Sequence, residues 1–282
     1  MNWEQIQNTS DDILASGINM LQKSTVKNIL ELPDLNYGNY LISKDKIKYI
    51  GEAKDVSKRL KQHSKPKTST FYKNYKKLSQ SNLAIPSNLK IEDFQARQIP
   101  TLFGRKEIEE FGIVNIPTNL NRFQIGKRTK YVNKISSELW KDVQEESIDL
   151  LNQGEKIFLK NAPKGWFDII VPKSPGLYWV EHPKYSLIYI GESSNIFERW
   201  QVHSGKTYFS ALRRHIGENL LDFELKTQKG KKRFFTNKED LKVTDFLKKA
   251  TIRVLPVSLG RYELEEYLIR THKPLLNRKE NK

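Results

Sequence analysis

The chain carries two copies of a short polar pattern whose residue types suit phosphate chemistry. In each copy an arginine lies ten positions after a tyrosine, and a histidine lies four positions after the arginine. These residues are Tyr49, Arg59 and His63 in the first copy and Tyr189, Arg199 and His203 in the second. A guanidinium can clamp phosphate oxygens, and an imidazole or an activated tyrosine can take a proton. The pattern therefore predicts two sites for work on phosphate esters.

Further recurring residues supply what this pattern lacks. Residues 104–113 match residues 260–269, and each block carries three glutamates. An asparagine follows the second of these glutamates by twelve positions, and another tyrosine precedes each Tyr-Ile-Gly turn. The added residues are Tyr40, Glu109 and Asn121 in the first copy and Tyr178, Glu265 and Asn277 in the second. One carboxylate can hold a hard divalent cation whose shell is completed by water and phosphate oxygens. Glu109 and Glu265 are therefore the predicted ligands of Mg²⁺ or Mn²⁺, and each asparagine is expected to orient a group or cap the glutamate helix.

Each of these residues, taken alone, also has an ordinary structural explanation. The tyrosines could be buried strand residues, Arg199 could pair with a surface acid such as Glu198, and His203 could be a satisfied surface histidine. The joint recurrence favours chemistry instead. The chain has 5 histidines, and two of them occupy matching positions. The polar set recurs while many apolar neighbours differ.

A strand pair and a following helix must position each set. Residues 39–43 and 47–51 predict paired strands in the first copy, as do residues 176–180 and 187–191 in the second. The two tyrosines are nine positions apart in the first copy and eleven in the second. Strand side chains alternate with period two, so this even difference keeps both tyrosines on one face in each copy.

The helix after each glycine turn should begin at a capping residue, Asp55 or Asn195. Its arginine and histidine, four positions apart, should lie side by side at the edge of a groove. An amphipathic helix is predicted over residues 9–24, and strand candidates at residues 91–99 and 251–257 precede the glutamate helices.

Composition points to a polyanionic partner. The chain has 49 Lys+Arg against 33 Asp+Glu, a formal charge of +16, which favours nucleic acid over a membrane surface. No apolar run of about 18 residues could span a bilayer. The chain has no cysteine and its start does not resemble a signal peptide, so a cytoplasmic protein is expected.

Clustered cations mark candidate DNA contacts. Aromatic residues followed by paired cations occur at similar places in both copies, and a basic insertion at residues 221–249 is specific to the second. The predicted DNA-binding residues are Lys76, Lys77, Arg213, Arg214, Lys229, Lys231, Lys232 and Arg233. The paired cations could equally be solvated lysines on packed helices, and the insertion is either a DNA-contacting loop or a solvated hairpin.

The ordered set of glycine, tyrosine, arginine, histidine, glutamate and asparagine in each copy resembles the GIY-YIG nuclease superfamily. The resemblance implies an α+β fold with two tandem domains, each a small three-stranded antiparallel sheet flanked by helices. It also implies metal-dependent phosphodiester cleavage, with the glutamate on the metal, the arginine on phosphate and a tyrosine as base. Outside the resemblance, the charged stretch at residues 127–153 lacks proline and predicts a helical connector, because its apolar residues keep roughly helical spacing. These residues are Val132, Ile135, Leu139, Val143 and Ile148. The connector separates a first domain at residues 1–126, with the leading helix, from a second at residues 154–282, with the insertion. The first copy departs from the pattern at Asn39, and Gly112, Val114 and Ile116 are expected to weaken its glutamate helix.

Three functions fit these features. The leading hypothesis is a DNA endonuclease whose two units act as an intramolecular pseudo-dimer, so that a monomer cuts both strands of a duplex, as in restriction or defence. In the second, the second copy alone cuts while the first binds DNA, which would give nicks or cleavage of branched DNA. The third is a basic nucleic-acid-binding protein without catalysis.

Overall fold

The computed structural model describes residues 1–121, 128–131, 138–228 and 230–277, with the backbone alone at 228, 231 and 232. The chain divides into two compact units, Met1–Leu150 and Leu151–Lys282. Within the described ranges, no helix has the length and apolar character needed to cross a membrane.

The first unit is built from one antiparallel sheet and the helices around it. Its elements are α1 (Trp3–Asn8), α2 (Ser10–Lys23), β1 (Lys27–Asn28), β2 (Gly38–Lys44), β3 (Ile47–Ala53), α3 (Val56–His63), α4 (Thr70–Ser81), a 3-10 turn (Ile91–Asp93), β4 (Gln95–Pro100), α5 (Arg105–Asn115) and α6 (Glu138–Glu145). The strand order is β1-β4-β2-β3.

The second unit repeats this arrangement and adds a hairpin and a helix. Its elements are α7 (Ser147–Lys160, which begins just before the division), β5 (Lys164–Gly165), β6 (Gly176–His182), β7 (Ser186–Ser193), α8 (Ile196–Ser204), a 3-10 turn (Thr207–Phe209), α9 (Ala211–Leu220), β8 (Lys226–Gln228), β9 (Lys231–Phe234), α10 (Asn237–Lys248), β10 (Thr251–Pro256) and α11 (Arg261–His272). The main sheet has the order β5-β10-β6-β7, and β8 pairs with β9.

These elements confirm the α+β class and correct the strand number. Each main sheet has four strands instead of three, because β1 and β5 pair antiparallel with the edges of β4 and β10. Both added strands have two residues. Such short strands satisfy the exposed hydrogen-bonding edge of their neighbours without any strand-like sequence pattern.

The N-terminal region contains two helices where the sequence predicted one. Helix α2 matches the predicted amphipathic segment, and its apolar side chains are buried. The prediction missed α1, which precedes it and buries Trp3 and Ile6. A capping box between Asn2 and Gln5 starts α1, because the amide side chains satisfy the N–H groups that a helix start leaves unpaired.

Part of the predicted connector belongs to the first unit. Helix α6 buries Trp140 and Val143, and the backbone N–H of Trp140 donates to Ser16 Oγ of α2 at 3.0 Å. The predicted periodic residues Val132 and Ile135 lie outside the described residues.

The basic insertion is a folded element of the second unit. It forms the β8–β9 hairpin and α10, and it buries Phe235, Val243, Phe246 and Leu247 in the core. The predicted hairpin corresponds to β8 and β9. The prediction did not include the apolar segment from Phe235 through α10, which packs in the core.

Gly112 does not prevent the glutamate helix of the first unit. Helix α5 runs through it, and a Cβ at this position would lie 2.3 Å from Ile50 Cδ1 on β3. Packing offsets the low helix propensity of Gly112, because the missing side chain lets the helix approach the sheet closely.

Candidate active site

In both units the first tyrosine, the histidine and a serine form one hydrogen-bonded chain. Tyr40 Oη lies 2.9 Å from His63 Nε2, and His63 Nδ1 lies 3.1 Å from Ser69 Oγ. In the second unit the corresponding distances are 3.0 Å from Tyr178 to His203 and 2.7 Å from His203 to Ser210. Each serine also caps the next helix, so the chain links the sheet to two helices.

The glycine of each Tyr-Ile-Gly turn makes room for this tyrosine. Tyr40 is paired with Gly51 across β2 and β3, and Tyr178 is paired with Gly191 across β6 and β7. A Cβ would lie 2.4 Å from Tyr40 Oη at Gly51 and 2.3 Å from Tyr178 Oη at Gly191. The ring therefore lies across the glycine, and a larger residue would displace the hydroxyl.

Both tyrosines of each unit lie on one face, as predicted. The register pairs Tyr49 with Ile42, two residues from Tyr40, and the second sheet has the same relation between Tyr189 and Tyr178. The Tyr178 and Tyr189 rings stack with centroids 6.0 Å apart. Burial raises the pKa of Tyr49 to about 12.

The histidines are buried, which corrects the prediction of an imidazole at a groove edge. His63 and His203 are 3% and 1% exposed. Burial, with a smaller contribution from Arg59, lowers the pKa of His63 to about 4. Burial and the nearby Arg199 lower the pKa of His203 to about 3. Burial also raises the pKa of Tyr40 and Tyr178 well above 10, so each pair is neutral at pH 7.

The arginines and glutamates converge on these pairs. In the first unit a cleft of about 660 Å³ is lined by Arg59 and Glu109 together with both tyrosines and His63. In the second unit the charge of Arg199 lowers the pKa of Tyr178, and that of Glu265 raises it.

The two glutamates differ in their contacts. Glu265 Oε1 accepts a hydrogen bond of 3.0 Å from the Glu192 N–H on β7. Glu109 Oε2 accepts one of 2.8 Å from Lys106 Nζ on its own helix. Burial opposes the charge on Lys106, but the adjacent Glu109 carboxylate outweighs it and raises the lysine pKa.

A buried arginine and the glutamate that follows each glycine turn were missed by the sequence prediction. Arg261 Nε lies 2.8 Å from Glu192 Oε2, and Arg105 NH1 lies 3.8 Å from Glu52 Oε2. Each pair ties the start of the glutamate helix to the strand that carries the second tyrosine. Burial and then the charge of Glu109 raise the pKa of Glu52. The signal was present, because these residues and the serines Ser69 and Ser210 recur in both copies.

Each asparagine holds a strand. Asn277 accepts from the Ile190 N–H and donates to the Ile190 carbonyl, at 3.0 Å and 2.7 Å. Asn121 does the same at Ile50, at 2.9 Å and 2.8 Å. Both amides dock the chain after the glutamate helix against the strand that carries the second tyrosine. They therefore position the site rather than cap the glutamate helix.

The predicted DNA-binding cations fall into different environments. Lys76 and Lys77 are exposed on α4. Arg213 is 1% exposed and donates to Asp240 and Thr244 of α10, so its prediction as a DNA contact is wrong. The cause is the α10 segment, which has no counterpart in the first copy.

The remaining cations lie in or near the insertion. Arg214 is half-buried and donates to the carbonyls of Thr207 and Tyr208. Arg233 lies over the Tyr208 ring, 6.0 Å from its centroid. Lys229 lies outside the described residues, as do the side chains of Lys231 and Lys232.

The second unit's donor set fits a hydrated hard cation. Among the described residues no group of three or more His, Cys, Asp or Glu side chains is arranged to hold a metal. Mg²⁺ does not require such a cage, since it commonly binds one or two carboxylates, several waters and substrate phosphates. Glu265 is the carboxylate that would hold it.

A small antiparallel sheet with a tyrosine–histidine pair, an arginine and a helix carboxylate defines a site suited to phosphodiester cleavage. Residues 168–282 match the family model of the GIY-YIG catalytic domain. The match lies within the second unit, and a nuclease domain of this kind implies DNA as a substrate. The match covers one copy. Comparisons with curated proteins and with solved structures gave no match.

Proposed function

We propose that the protein is a metal-dependent DNA endonuclease and that the second unit carries out the cleavage. The observation that supports this most strongly is the hydrogen-bonded Tyr178–His203 pair, with Arg199 one turn before His203 on α8 and Glu265 held by the Glu192 N–H, inside the segment that matches the nuclease family. Hydrolysis of a phosphodiester needs a base for water and positive charge where negative charge develops. This site offers groups for both.

Tyr178 and His203 form the proton-handling pair. With its hydrogen on Nδ1, His203 donates to Ser210 Oγ, and its Nε2 accepts a hydrogen bond from the Tyr178 hydroxyl. Tyr178 would act as the base in its phenolate form, which would take a proton from the attacking water. Burial disfavours the phenolate, and the charge of Arg199 favours it.

Arg199 and Glu265 supply the charged groups. Arg199 would hold the phosphate by charge-assisted hydrogen bonds. A divalent ion held by Glu265 would supply positive charge that polarises the scissile phosphate. The Glu192 N–H fixes one oxygen of the Glu265 carboxylate, which preorganises it on a rigid strand and helix.

Plasmid cleavage in Mg²⁺ tests this function. Glu265→Ala should lower the cleavage rate at least about 100-fold, because it removes the electrostatic support of the phosphate. Glu109→Ala, the matched change in the first unit, should cut like wild type, and EDTA should abolish cleavage by both active proteins. Equal activity of Glu265→Ala and wild type would exclude the second unit as the cutting site.

A second candidate is the two-site pseudo-dimer, which cuts both strands within one chain. It is favoured by the first unit, where the tyrosine–histidine–serine chain and the asparagine contacts recur. In this case both glutamate variants should convert linearisation into nicking. A wild-type protein that binds DNA but never cuts it in any divalent metal would instead favour a purely binding role.

A further inference from the structure

The cleft of the first unit contains a lysine at a position where the second unit has a tyrosine. Lys106 is the second residue of α5, and Tyr262 is its counterpart in α11. Lys106 Nζ lies 2.8 Å from Glu109 Oε2, three residues later on the helix. Residues three apart share a helix face, so the pairing follows from the local sequence.

This ion pair lies inside the cleft rather than on an open surface. The side chains of Lys106 and Glu109 are 25% and 17% exposed, and both line the cleft with Arg59 and Lys65. Partial removal from water strengthens the attraction between the two charges, since the local dielectric is lower. The ammonium therefore has a defined position beside the carboxylate that would serve as metal ligand.

Such a site does not fit a divalent cation. Mg²⁺ binds carboxylate oxygens at about 2.0–2.1 Å, so it would have to displace Lys106 or accept a like charge as a close neighbour. The acidic lining residues are Glu52 and Glu109, and the basic ones are Arg59, Lys65 and Lys106. His63 is neutral at pH 7, because burial lowers its pKa. The balance of the cleft favours an anion.

We propose that Lys106 takes the place of the metal ion in the first unit, so that the first cleft binds a DNA phosphate without metal and does not cut it. The proposal rests on the proposed function, in which Glu265 holds the metal of the second unit. It gives the first unit a role as a substrate-holding domain with a ligand of stated class, a phosphodiester group.

The first part of the proposal is that the first cleft binds no metal. We test it by measuring Mn²⁺ binding to the full-length Glu265→Ala protein with electron paramagnetic resonance. This variant should show no tight Mn²⁺ site. Adding Lys106→Met should raise the affinity of the first cleft about tenfold or more, because a like charge is removed, and further addition of Glu109→Ala should abolish the gain. Lys106→Gln serves as a second variant, with thermal unfolding as the check on folding.

Two outcomes would overturn the claim that the first cleft binds no metal. One is a tight Mn²⁺ site in Glu265→Ala that Glu109→Ala removes. The other is the absence of any gain in folded Lys106→Met and Lys106→Gln. Neither readout requires cleavage, so a failure of the nuclease proposal would be seen separately in the plasmid assay.

The second part of the proposal is that the first cleft binds a DNA phosphate. Fluorescence anisotropy with a labelled DNA duplex in EDTA tests it in the same Glu265→Ala protein. Lys106→Met should weaken binding and reduce the slope of log affinity against log salt by about 0.9, the value for one lost phosphate contact. Lys106→Arg should retain binding. Lys23→Met, which removes an exposed lysine of α2 outside the cleft, is the control, and an equal effect of Lys23→Met and Lys106→Met would contradict the proposal.

Discussion

The buried histidines are the residues whose environment departs furthest from the sequence expectation. His203 is enclosed by Tyr178 and Ser210, which use both ring nitrogens. A neutral imidazole satisfies this pairing with one donor and one acceptor. Protonation would place a charge in a buried site beside Arg199. The histidine is therefore neutral near pH 7, and its protonation should destabilise the fold.

Acid should reveal this cost in the free energy of unfolding. The folded pKa of His203 is about 3, below the ordinary value of 6.5, so the unfolded chain takes up this proton first. The contribution of neutral His203 to the free energy of unfolding is complete above pH 6.5. It falls towards pH 3 by up to about 1.4 kcal/mol per pH unit. Urea unfolding of wild type and His203→Phe at pH 6.5 and 4.5 measures it.

The variant should lose roughly 2 kcal/mol less stability than wild type between these two pH values, because it lacks the titrating group. Carboxylates contribute equally to both proteins and cancel in the comparison. An identical loss in the two proteins would show that His203 is not held neutral by the fold. His63, whose pKa is lowered to about 4, should behave similarly in the first unit.

At the scale of elements, the strand pair determines where the tyrosine hydroxyl lies. Gly191 is the residue across which Tyr178 reaches His203, and a Cβ there would lie 2.3 Å from Tyr178 Oη. Gly191→Ala should therefore displace the hydroxyl without removing any polar group. Displacements of about 1 Å can lower a rate about 100-fold, and plasmid cleavage should fall by that order.

A double-mutant cycle separates this effect from general damage to the sheet. In a Tyr178→Phe background there is no hydroxyl to displace, so Gly191→Ala should lower the residual rate little further. Additive effects of the two changes would show that the glycine acts on something other than the tyrosine.

Sequence patterns predicted the elements that repeat and missed those that depend on tertiary contacts. The tyrosine spacings of nine and eleven residues differ by an even number, and this was enough to predict the same arrangement of both rings on one face in each copy, because strand periodicity is local. The strands β1 and β5 have no such pattern, and they exist because a neighbouring edge offers hydrogen bonds. The asparagines were assigned a role near the glutamate helix, and their partners on Ile50 and Ile190 became visible only when distant segments were brought together.

At the scale of the whole molecule, the charge of +16 predicts strongly salt-dependent DNA binding, but the location of each cation decides its part. Lys76 and Lys77 are exposed on α4, whereas Arg213 is buried against Asp240. Counterion release requires a cation that reaches a phosphate. A buried arginine that ties two helices together contributes to folding instead.

Salt titrations of DNA binding should separate these two kinds of cation. Replacing Lys76 and Lys77 by Gln should reduce the slope of log affinity against log salt by up to about 1.8, or about 0.9 for each lost phosphate contact. Arg213→Met should leave the slope unchanged and lower the free energy of unfolding by roughly 3 kcal/mol, because Asp240 loses its buried partner. A reduced slope with unchanged stability in Arg213→Met would return that residue to the DNA-binding surface, and an unchanged slope in the lysine variant would remove α4 from it.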